Sequence, residues 1–387
     1  MIQASLSGHQ TMPEVVQKLR TLAVSSLARM YLPEKRLFAF RLRKKGRDGV
    51  LEGVSRRYTA TALIGLAGED RDVVTEVLGD HSLEDVCTGL LEHIEETDDM
   101  GEVALTTWAA RAIRHARASE AAKALRMREP GKRPYCTVEL AWALTALVLD
   151  GSDPSDLAQA EITAQALLSA FKEESEIFRR WPAGQVVPKL PAFVSSLGDR
   201  LPGLRTHVSC FADFVYPVQA LSYYYRATGD TRAANAASRC ARRMCQLQGQ
   251  DGQWWWHFDI RTGHVIERYP VYSVHQDSMA PMALFAVGQA CGEDYSDSIE
   301  KGLRWLVNPP EKAGSLIDAE NEVIWRKVAR RGPGKLVRGL QATASSLHSR
   351  LRAPGVDVLF PPVSVDYETR PYHMGWILHA WSAQGDS

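Results

Sequence analysis

The strongest constraint on the fold is a pattern that occurs six times: a short polar cluster followed at once by a helix that is apolar on most of its sides. A helix that is apolar all round has to be buried on more than one face. Such helices predict an interior built from helices, with their polar starts gathered nearby. The six clusters are GVSRRYTA (Gly53–Ala60), EETDDMGE (Glu95–Glu102), KRPYCTVE (Lys132–Glu139), SCFADFVYP (Ser209–Pro217), YSVHQDSMAP (Tyr272–Pro281) and ETRPYHMGW (Glu368–Trp376).

The helices between these clusters are amphipathic and charged. Thr231–Gln248 is an example, and Gly229 and Asp230 mark the end of one helix and the N-cap of the next. Buried and amphipathic helices that alternate along a chain predict an all-α (α/α)6 toroid, in which an outer ring of helices wraps an inner ring. Alternating strand patterns are short, and only EVIWRKVARR (Glu322–Arg331) and VDVLFPPVSVDY (Val356–Tyr367) are typical of strands.

We interpret residues 1–387 as a single α/α-toroid domain. In this fold the N-termini of the inner helices meet at one end, so that the polar clusters line one funnel in which the helix dipoles favour anions. Two long connections without helical pattern, residues 174–209 and 308–337, interrupt the helices. Long connections in a compact domain are usually lids or binding loops, and we expect these two to cover the funnel and to shape substrate choice.

Composition argues against several classes of partner. Lysine plus arginine equals aspartate plus glutamate at 46 each, and this zero net charge gives no reason to expect nucleic acid or an anionic membrane as a partner. The short basic run Arg41–Arg47 is interpreted as a solvated turn. No apolar stretch has the length of a membrane span, and no targeting segment is evident. The six cysteines are scattered without a CxxC pair, which favours reduced thiols and a cytoplasmic protein. The sequence gives no indication of the oligomeric state.

The stretch Trp254–Asp277 combines flat aromatic surface with titratable groups. In the toroid it is the connection that leads into an inner helix near His275, and it therefore lies at the rim of the funnel. Aromatic rings stack on pyranose faces, and neighbouring carboxylates bond sugar hydroxyls or transfer protons. This mixture predicts a saccharide site, although packing between helices also explains the rings, above all that of Trp254.

Two segments carry a resemblance to known enzymes. GQWWWHFDIRTGHVIERYPVYSVHQDSMAPMALFAV (Gly252–Val287) resembles the equivalent stretch of the six-hairpin glycosidases, in particular the unsaturated glucuronyl hydrolases. These carry a Gly-x-Trp turn, an Asp, a Glu and a Ser/Ala/Met-rich inner helix in this order. ALSYYYRATGDTRAANAA (Ala220–Ala237) is similar to helix pairs of that group and of the sugar 2-epimerases. The resemblance extends over about residues 212–305 and implies a glycoside hydrolase or polysaccharide lyase that acts on an acidic oligo- or exopolysaccharide.

A second resemblance points to terpene cyclases, which are also α/α toroids. QGQDGQW (Gln248–Trp254) fits their QxxxGxW turn, ETDD (Glu96–Asp99) is one residue away from their DxDD acid, and DDMGE (Asp98–Glu102) has the form of the DDxxE magnesium-diphosphate motif. Such enzymes need a cavity lined with aromatic rings that stabilise carbocations. The clusters here are richer in Arg, His, Asp and Gln, which suits a polyhydroxylated substrate and favours sugar chemistry. A non-catalytic saccharide-binding protein is a further alternative.

The candidate catalytic residues lie in three places. Asp98 and Asp99 open a helix in a cluster of acids; one of them suffices as N-cap, and crowding raises the pKa of neighbouring carboxyls toward that of a proton donor. The partner carboxylate is expected to be Asp277 or Glu267, across the funnel at the wider spacing of inverting glycosidases. In a lyase, His275 or Tyr272 instead abstracts the proton next to a uronate carboxyl group.

The candidate substrate-binding residues are the other polar and aromatic members of these clusters. Arg56 or Arg57 can hold a substrate carboxylate by a bidentate contact, whereas the alternative for either is an ion pair with the acids near Asp98. The remaining candidates are expected to stack on sugar rings or to bond hydroxyls, although each can also be a satisfied core group. They are Tyr58, Asp213, Tyr216, Trp254, Trp255, Trp256, His257, Tyr272, Gln276, Tyr372 and His373.

The sequence shows no metal-ligand spacing, because no histidine pair has the form HxxxH or HxH near a helix. We therefore expect no metal or cofactor, and Mg²⁺ only if the terpene alternative holds. The expected partner is a saccharide substrate.

Overall fold

The computed structural model describes residues 11–45, 49–149, 153–184, 206–311, 314–332, 334–348, 351 and 355–382. In these ranges most of the chain forms helices that alternate between an inner and an outer position. The inner helices are α2 (Arg56–Leu66), α5 (Met100–Ala112), α7 (Thr137–Val148), α9 (Ala212–Thr228), α11 (Ala280–Cys291) and α15 (Pro371–Ser382). The outer helices are α1 (Met12–Met30), α3 (Arg71–Leu78), α4 (Leu83–Leu91), α6 (Ala118–Met127), α8 (Pro154–Ala170), α10 (Thr231–Leu247) and α12 (Ser296–Val307). Two more helices, α13 (Gly334–Leu347) and α14 (Val356–Leu359), lie in the connection before α15.

The inner helices form a closed ring. Each packs on the next in chain order, from α2 through α5, α7, α9 and α11 to α15, and α15 packs back on α2. They are buried around most of their circumference, as their apolar composition requires, while amphipathic outer helices such as α10 bury one face. The predicted all-α (α/α)6 toroid is confirmed.

Ring closure depends on two glycines at the contact of α2 with α15. A Cβ atom placed on Gly65 would lie 2.3 Å from the carbonyl oxygen of Gly375. A Cβ atom on Gly375 would lie 2.3 Å from the carbonyl oxygen of Thr61. Only a residue without a side chain allows two helix backbones to approach this closely.

Short strands lie at the end of the ring where the inner helices begin. In the described ranges β3 (Val50–Val54), β6 (Val208–Cys210), β9 (Val271–Tyr272) and β14 (Glu368–Thr369) each precede an inner helix. Strand β2 pairs with β1, β3 and β14, and strand β12 pairs with β9 and β13. The other strands are β1 (Tyr31–Leu32), β2 (Leu37–Arg43), β4 (Phe171–Lys172), β5 (Ile177–Phe178), β7 (His257–Asp259), β8 (Val265–Glu267), β10 (Ile317–Asp318), β11 (Val323–Ile324), β12 (Lys327–Ala329) and β13 (Ser364–Asp366).

The two segments predicted to hold short strands differ in outcome. Glu322–Arg331 contains β11 and β12, as expected. Val356–Tyr367 begins instead with the short helix α14 and reaches strand β13 only at Ser364, because the Pro361–Pro362 pair separates the two elements. The middle of the long connection 174–209 lies outside the described residues.

The start of α11 is wider than an ordinary helical turn. His275–Met279 forms a π-helical turn that runs directly into α11. Pro281 has no N–H group to donate to the carbonyl oxygen of Asp277 four residues earlier. The indole Nε1 of Trp381 donates to that oxygen instead, at 2.6 Å. The turn therefore fixes α11 to α15 and sets which residues of this cluster face inward.

No helix in the described part of the chain has the length and apolar character needed to cross a membrane. All six cysteines are free thiols, and Cys87 and Cys240 among them are buried.

The glycine contact at the ring closure gives a direct test of the fold. We expect Gly375→Ala to lower the free energy of unfolding by about 2 kcal/mol or more, because the added methyl group pushes α15 away from α2. Gly89→Ala in α4 is the matched control, since nothing lies within 4 Å of a Cβ atom there. Denaturant unfolding followed by circular dichroism measures both, and equal stability of the two variants would contradict the closure.

Candidate active site

A cavity of about 440 Å³ opens at the end of the ring where the inner helices begin. All six inner helices, or the residues directly before them, contribute to its walls. The lining residues from the helices and their starts are Ser55, Arg57, Tyr58, Thr61, Leu105, Val138, Trp142, Ala212, Tyr216, Val274, His275, Met279, Tyr372 and Trp376. Strand β2 and two connections add Phe40, Trp256, Tyr272 and Arg326. Five of the six polar clusters therefore contribute residues to this cavity, whereas α5 contributes Leu105 and no residue of its cluster Glu95–Glu102.

The walls of this cavity are largely aromatic. Phe40 stacks on Tyr58 with ring centroids 5.3 Å apart, and Tyr58 lies 4.8 Å from Tyr372. On another side Trp142 meets Tyr216 edge to face at 5.2 Å. These ring pairs hold one another in place, so the cavity presents fixed flat surfaces to a ligand.

Arg57 is the cation on the α2 side of the cavity, and two carboxylates compensate its charge. Its Nε donates to both carboxylate oxygens of Asp99, at 2.8 and 2.9 Å, and its Nη2 lies 3.4 Å from Oε1 of Glu139. Asp99 also caps α5 by accepting from the Glu102 amide at 2.9 Å. Glu139 belongs to α7 and was not among the predicted residues. Asp99 and Glu139 thus meet through one guanidinium group beside the cavity.

Arg326 is the cation on the side formed by α11 and α15, and it belongs to an arginine cluster with an excess of positive charge. Its Nη1 donates to the buried carboxylate of Glu368 at 2.6 Å. Arg41 donates to the same carboxylate at 2.9 Å, and so does Arg370, through Nε at 2.9 Å. Arg41 also pairs with Glu52, and Arg326 lies 3.6 Å from Asp366, which Lys327 contacts at 3.0 Å. In the described part of the chain, four cations and three carboxylates at this wall thus leave a single positive charge in excess. Arg370 also donates to the hydroxyl of Tyr58 at 3.0 Å, which fixes that ring.

His275 faces the cavity as a neutral group. Burial lowers the pKa of His275 from 6.5 to about 3, since the charged form loses its hydration. Its Nδ1 lies 3.3 Å from the carbonyl oxygen of Trp254, an acceptor only, so Nδ1 carries the proton and Nε2 is an acceptor. A base this weak is a poor abstractor of protons at neutral pH, which argues against the lyase role considered for it.

The tyrosines at the cavity keep their protons. Burial raises the pKa of Tyr372 to about 12, and burial likewise raises the pKa of Tyr216 and of Tyr272. Their hydroxyls are therefore donors for sugar oxygens rather than bases. The raised pKa of Tyr272 therefore argues against the role of base that was considered for this residue in a lyase.

Several predicted site residues point into the protein instead of the cavity. Asp277 is fully buried, and His373 Nε2 lies 2.8 Å from both of its carboxylate oxygens. Asp213 accepts from the Cys210 amide at 2.8 Å and from Ser209 Oγ at 3.1 Å. The expectation that Asp213, Asp277 and His373 line the funnel is corrected, because each is satisfied within the helix starts.

Two further predicted site residues, Asp98 and Arg56, do not line the cavity. Asp98 is exposed and does not line the cavity. Arg56 donates to Glu102 at 2.6 Å and to the carbonyl oxygen of Leu90 at 2.8 Å, so it ties α2 to α4 and α5. Arg56 therefore takes the ion-pair alternative that was considered for it.

The three adjacent tryptophans face three different surroundings. Trp256 lines the cavity and stacks on His257 with centroids 4.2 Å apart. Trp254 is buried against Phe211, and its backbone amide donates to the side chain of Gln276 at 3.1 Å. Trp255 lies in a separate groove. One of the three thus presents a ring to the cavity, while Trp254 and Gln276 are core residues.

That separate groove is larger, about 1230 Å³, and is lined by Trp255, Glu267 and Arg330 among others. Glu267 is buried there in an ion pair with Arg330 at 2.8 Å. Because Glu267 and Asp277 both lie away from the cavity, neither faces Asp99 across it. The predicted inverting arrangement of these carboxylates is therefore wrong. No cluster of three or more His, Cys, Asp or Glu residues that could hold a metal ion occurs in the described ranges.

The cavity residues that the sequence analysis did not select include the aromatic residues Phe40, Trp142 and Trp376 and the cation Arg326. Phe40 and Trp142 look like ordinary core residues in sequence, and Trp376 belongs to the ETRPYHMGW cluster but was not selected. Arg326 lies in the connection 308–337 and contributes to the cavity wall; that this connection covers the funnel stays a prediction.

Comparisons with known proteins support the fold. Neither a family model nor a curated protein matches the chain. An unsaturated glucuronyl hydrolase specific for heparin is similar in structure, with a TM-score of 0.57, 13% identity and 95% of each chain covered. The unsaturated glucuronyl hydrolase of Bacillus sp. GL1 gives a TM-score of 0.58 at 12% identity, over 94% of this chain and 95% of that one. The chain has the α/α-toroid fold of these enzymes.

A further neighbour with this fold is a sugar epimerase from a ruminal bacterium. Its TM-score is 0.57 at 10% identity, and the match covers 97% of this chain and 99% of that one. One fold therefore hosts more than one activity, and function has to be argued from the cavity.

The contrast between Trp256 and Trp254 is testable. We expect Trp256→Ala to weaken saccharide binding about tenfold, because a stacking surface of the cavity is lost, with an unchanged helical circular dichroism spectrum. Trp254→Ala should instead cost about 3–5 kcal/mol of stability as a buried cavity forms. Calorimetric titration and thermal unfolding separate the two effects, and equal binding by wild type and Trp256→Ala would contradict the assignment.

The buried His275 predicts a pH dependence of stability. The pKa of this histidine is near 6.5 in the unfolded chain and about 3 in the folded one. The unfolded state therefore binds more protons in this window, so the stabilisation is complete above pH 6.5 and is lost as the pH falls toward 3. Between pH 7 and pH 5, the free energy of unfolding should fall in both proteins. The fall should be smaller in His275→Gln than in wild type by on the order of 2 kcal/mol. The exposed His93→Gln is the control in denaturant unfolding at both pH values, and identical losses in all three proteins would contradict the assignment.

Proposed function

We propose that this protein is a glycoside hydrolase that removes a terminal acidic sugar from an oligosaccharide bound in the 440 Å³ cavity. The observation that carries the proposal is the division of charge around this cavity. At the starts of α5 and α7, the carboxylates Asp99 and Glu139 share Arg57. Beside α11 and α15, the cations Arg41, Arg326, Arg370 and Lys327 outnumber their carboxylate partners by one. In a ring of six helices, these two groups lie on opposite sides.

The positive side suits an anionic sugar. Arg326 has Glu368 as its main partner, but Glu368 is shared with Arg41 and Arg370. A carboxylate on the sugar would balance the remaining charge by a charge-assisted contact. Arg57, which was considered for this task, already has Asp99 and Glu139 as partners. We therefore assign recognition of the substrate carboxylate to Arg326 and the positioning of two catalytic carboxylates to Arg57.

The aromatic side walls suit the sugar ring. Trp256 and Tyr272 meet edge to face at 5.1 Å, so Tyr272 holds the partly exposed ring of Trp256 in place to pack on the apolar face of a pyranose. His275 Nε2 accepts from a sugar hydroxyl, and the hydroxyl of Tyr372 donates to one. These contacts orient the glycosidic bond toward the starts of α5 and α7.

Asp99 and Glu139 supply the acid and base chemistry in this proposal. Both carboxylates contact Nη2 of Arg57, Glu139 at 3.4 Å, so this guanidinium group holds them near each other beside the cavity. Asp99 already accepts from Arg57 and from the Glu102 amide, so we assign it as the carboxylate that orients the water molecule. Glu139, in its protonated form, donates a proton to the leaving oxygen as the glycosidic C–O bond breaks. Asp99 accepts a proton from the water whose oxygen forms the new bond to the sugar.

The structural neighbours agree with this assignment in substrate class. Two of them are unsaturated glucuronyl hydrolases, one specific for heparin and one responsible for the degradation of glycosaminoglycan. Their sugars carry a carboxylate at the terminal residue, which is the group that Arg326 would bind.

The aromatic lining also favours a second candidate, a terpene cyclase, in which rings stabilise carbocations. Its acids would be Glu96, Asp98 and Asp99. Glu96 and Asp98 are exposed and do not line the cavity, and Asp99 is bonded to Arg57. Because the motif acids Glu96 and Asp98 do not reach the cavity, we prefer the hydrolase.

The acids provide the test. Asp99→Asn and Glu139→Gln should each lower kcat for an unsaturated chondroitin disaccharide by at least about 100-fold, while Asp98→Asn, the exposed neighbour, should retain it. Asp277→Asn should unfold at lower temperature instead, because it breaks a buried pair with His373. Loss of the unsaturated uronate absorbance measures turnover. Full activity of Asp99→Asn would remove the proposal, and turnover of a prenyl diphosphate by wild type would favour the cyclase.

A further inference from the structure

An exposed aromatic side chain beside the cavity has a fixed cation on its face. Tyr367, between β13 and β14, is 45% exposed. The ammonium group of Lys44 lies 5.1 Å from the centroid of its ring and 5.6 Å from that of Trp325. The Lys44 amide donates to the Tyr367 carbonyl oxygen at 3.0 Å, and the rings of Trp325 and Tyr367 meet edge to face at 5.2 Å. Ring and charge are therefore held together on one rigid surface.

This surface is continuous with the cavity wall along two backbone segments. Strand β2 carries Phe40 at the cavity and leads directly to Lys44. On the second segment, Arg326 lines the cavity, and its amide donates to the carbonyl oxygen of Asp366 at 3.3 Å, next to Tyr367. Tyr367 and Lys44 therefore lie on the chain segments next to two cavity residues, Arg326 and Phe40.

The same surface has an excess of positive charge. Arg43, Lys44 and Lys45 are exposed at the tip of β2, and no carboxylate of the described residues lies within ion-pair distance of any of them. Lys327, beside Arg326, lies 5.3 Å from the ring centroid of Tyr272 and is paired with Asp366 at 3.0 Å. In a chain of zero net charge, this local field selects anions.

We propose that Lys44 and Tyr367 form an outer subsite for a second acidic sugar of the substrate, beyond the disaccharide unit whose terminal residue occupies the cavity. The inference rests on the proposed hydrolase function. The ring of Tyr367 packs on the apolar face of that sugar, and the ammonium group of Lys44 pairs with its anionic group. The described part of the basic run, Arg41–Lys45, then has a role in binding acidic chains through Lys44.

Steady-state kinetics with oligosaccharide substrates of two lengths test this subsite. The substrates are the unsaturated di- and tetrasaccharides that a lyase releases from unsulfated chondroitin. Wild type should have the lower KM for the tetrasaccharide. Lys44→Gln should raise that KM about threefold, with the difference vanishing in 0.5 M NaCl, since an exposed charge pair is weak and screened by salt (about 0.2–1 kcal/mol). Tyr367→Ala should raise it about fivefold, with little salt dependence, because stacking is lost.

The controls separate this inference from the proposed function. Neither variant should change the KM for the disaccharide, and Lys123→Gln on the outer helix α6 should behave as wild type on both substrates. Equal KM values for the tetrasaccharide in wild type, Lys44→Gln and Tyr367→Ala would overturn the outer subsite while leaving the hydrolase proposal intact. Absence of turnover of both substrates by wild type would overturn the two together.

Discussion

The contact between the first and last inner helices holds the rest of the structure in place. Gly65 and Gly375 let the backbones of α2 and α15 approach to within van der Waals distance, and this contact closes the ring. Closure brings Tyr58 and Tyr372, from opposite ends of the chain, to 4.8 Å between ring centroids. Since both rings line the cavity, its shape depends on a contact one to two turns further along each helix. A side chain at either glycine would open the ring and displace the walls together.

The fold could be predicted because its signal is local. Each inner helix is apolar on most sides and begins with polar residues, and both features can be recognised within a dozen residues of sequence. The helix starts at Arg56, Met100, Thr137, Ala212 and Pro371 all fall inside predicted clusters. The pattern does not tell which side chains at the start of each helix face the cavity; this direction is the phase of the helix start. At Tyr272–Pro281 a π-helical turn changes that phase, so His275 faces the cavity whereas Gln276 and Asp277 face the core.

The candidate site was predicted less well, for a related reason. Adjacent residues in a cluster point in different directions, so Arg56 and Arg57, or Trp254 and Trp256, have different environments although their sequence signals are alike. Arg326 was missed because it reaches the cavity from a connection, where no helical periodicity indicates direction. Glu139 resembles a helix-capping acid and does bond the Cys136 amide at 3.3 Å; its contact with Arg57 becomes visible only when α2 and α7 are placed together.

The charge distribution finally explains why carboxylates that looked catalytic are not at the cavity. Buried Asp213 and Asp277 each have nearby donors that satisfy them, and a buried carboxylate without such partners would cost several kcal/mol. Asp99 and Glu139 stay beside the cavity because Arg57 compensates them there. On the far wall the arrangement is reversed, with Glu368 shared by three arginines. Glu52 pairs with Arg41, and Asp366 lies between Arg326 and Lys327, so one positive charge is left in excess among these groups. Under the proposed function, the carboxylate of an acidic sugar would balance that charge.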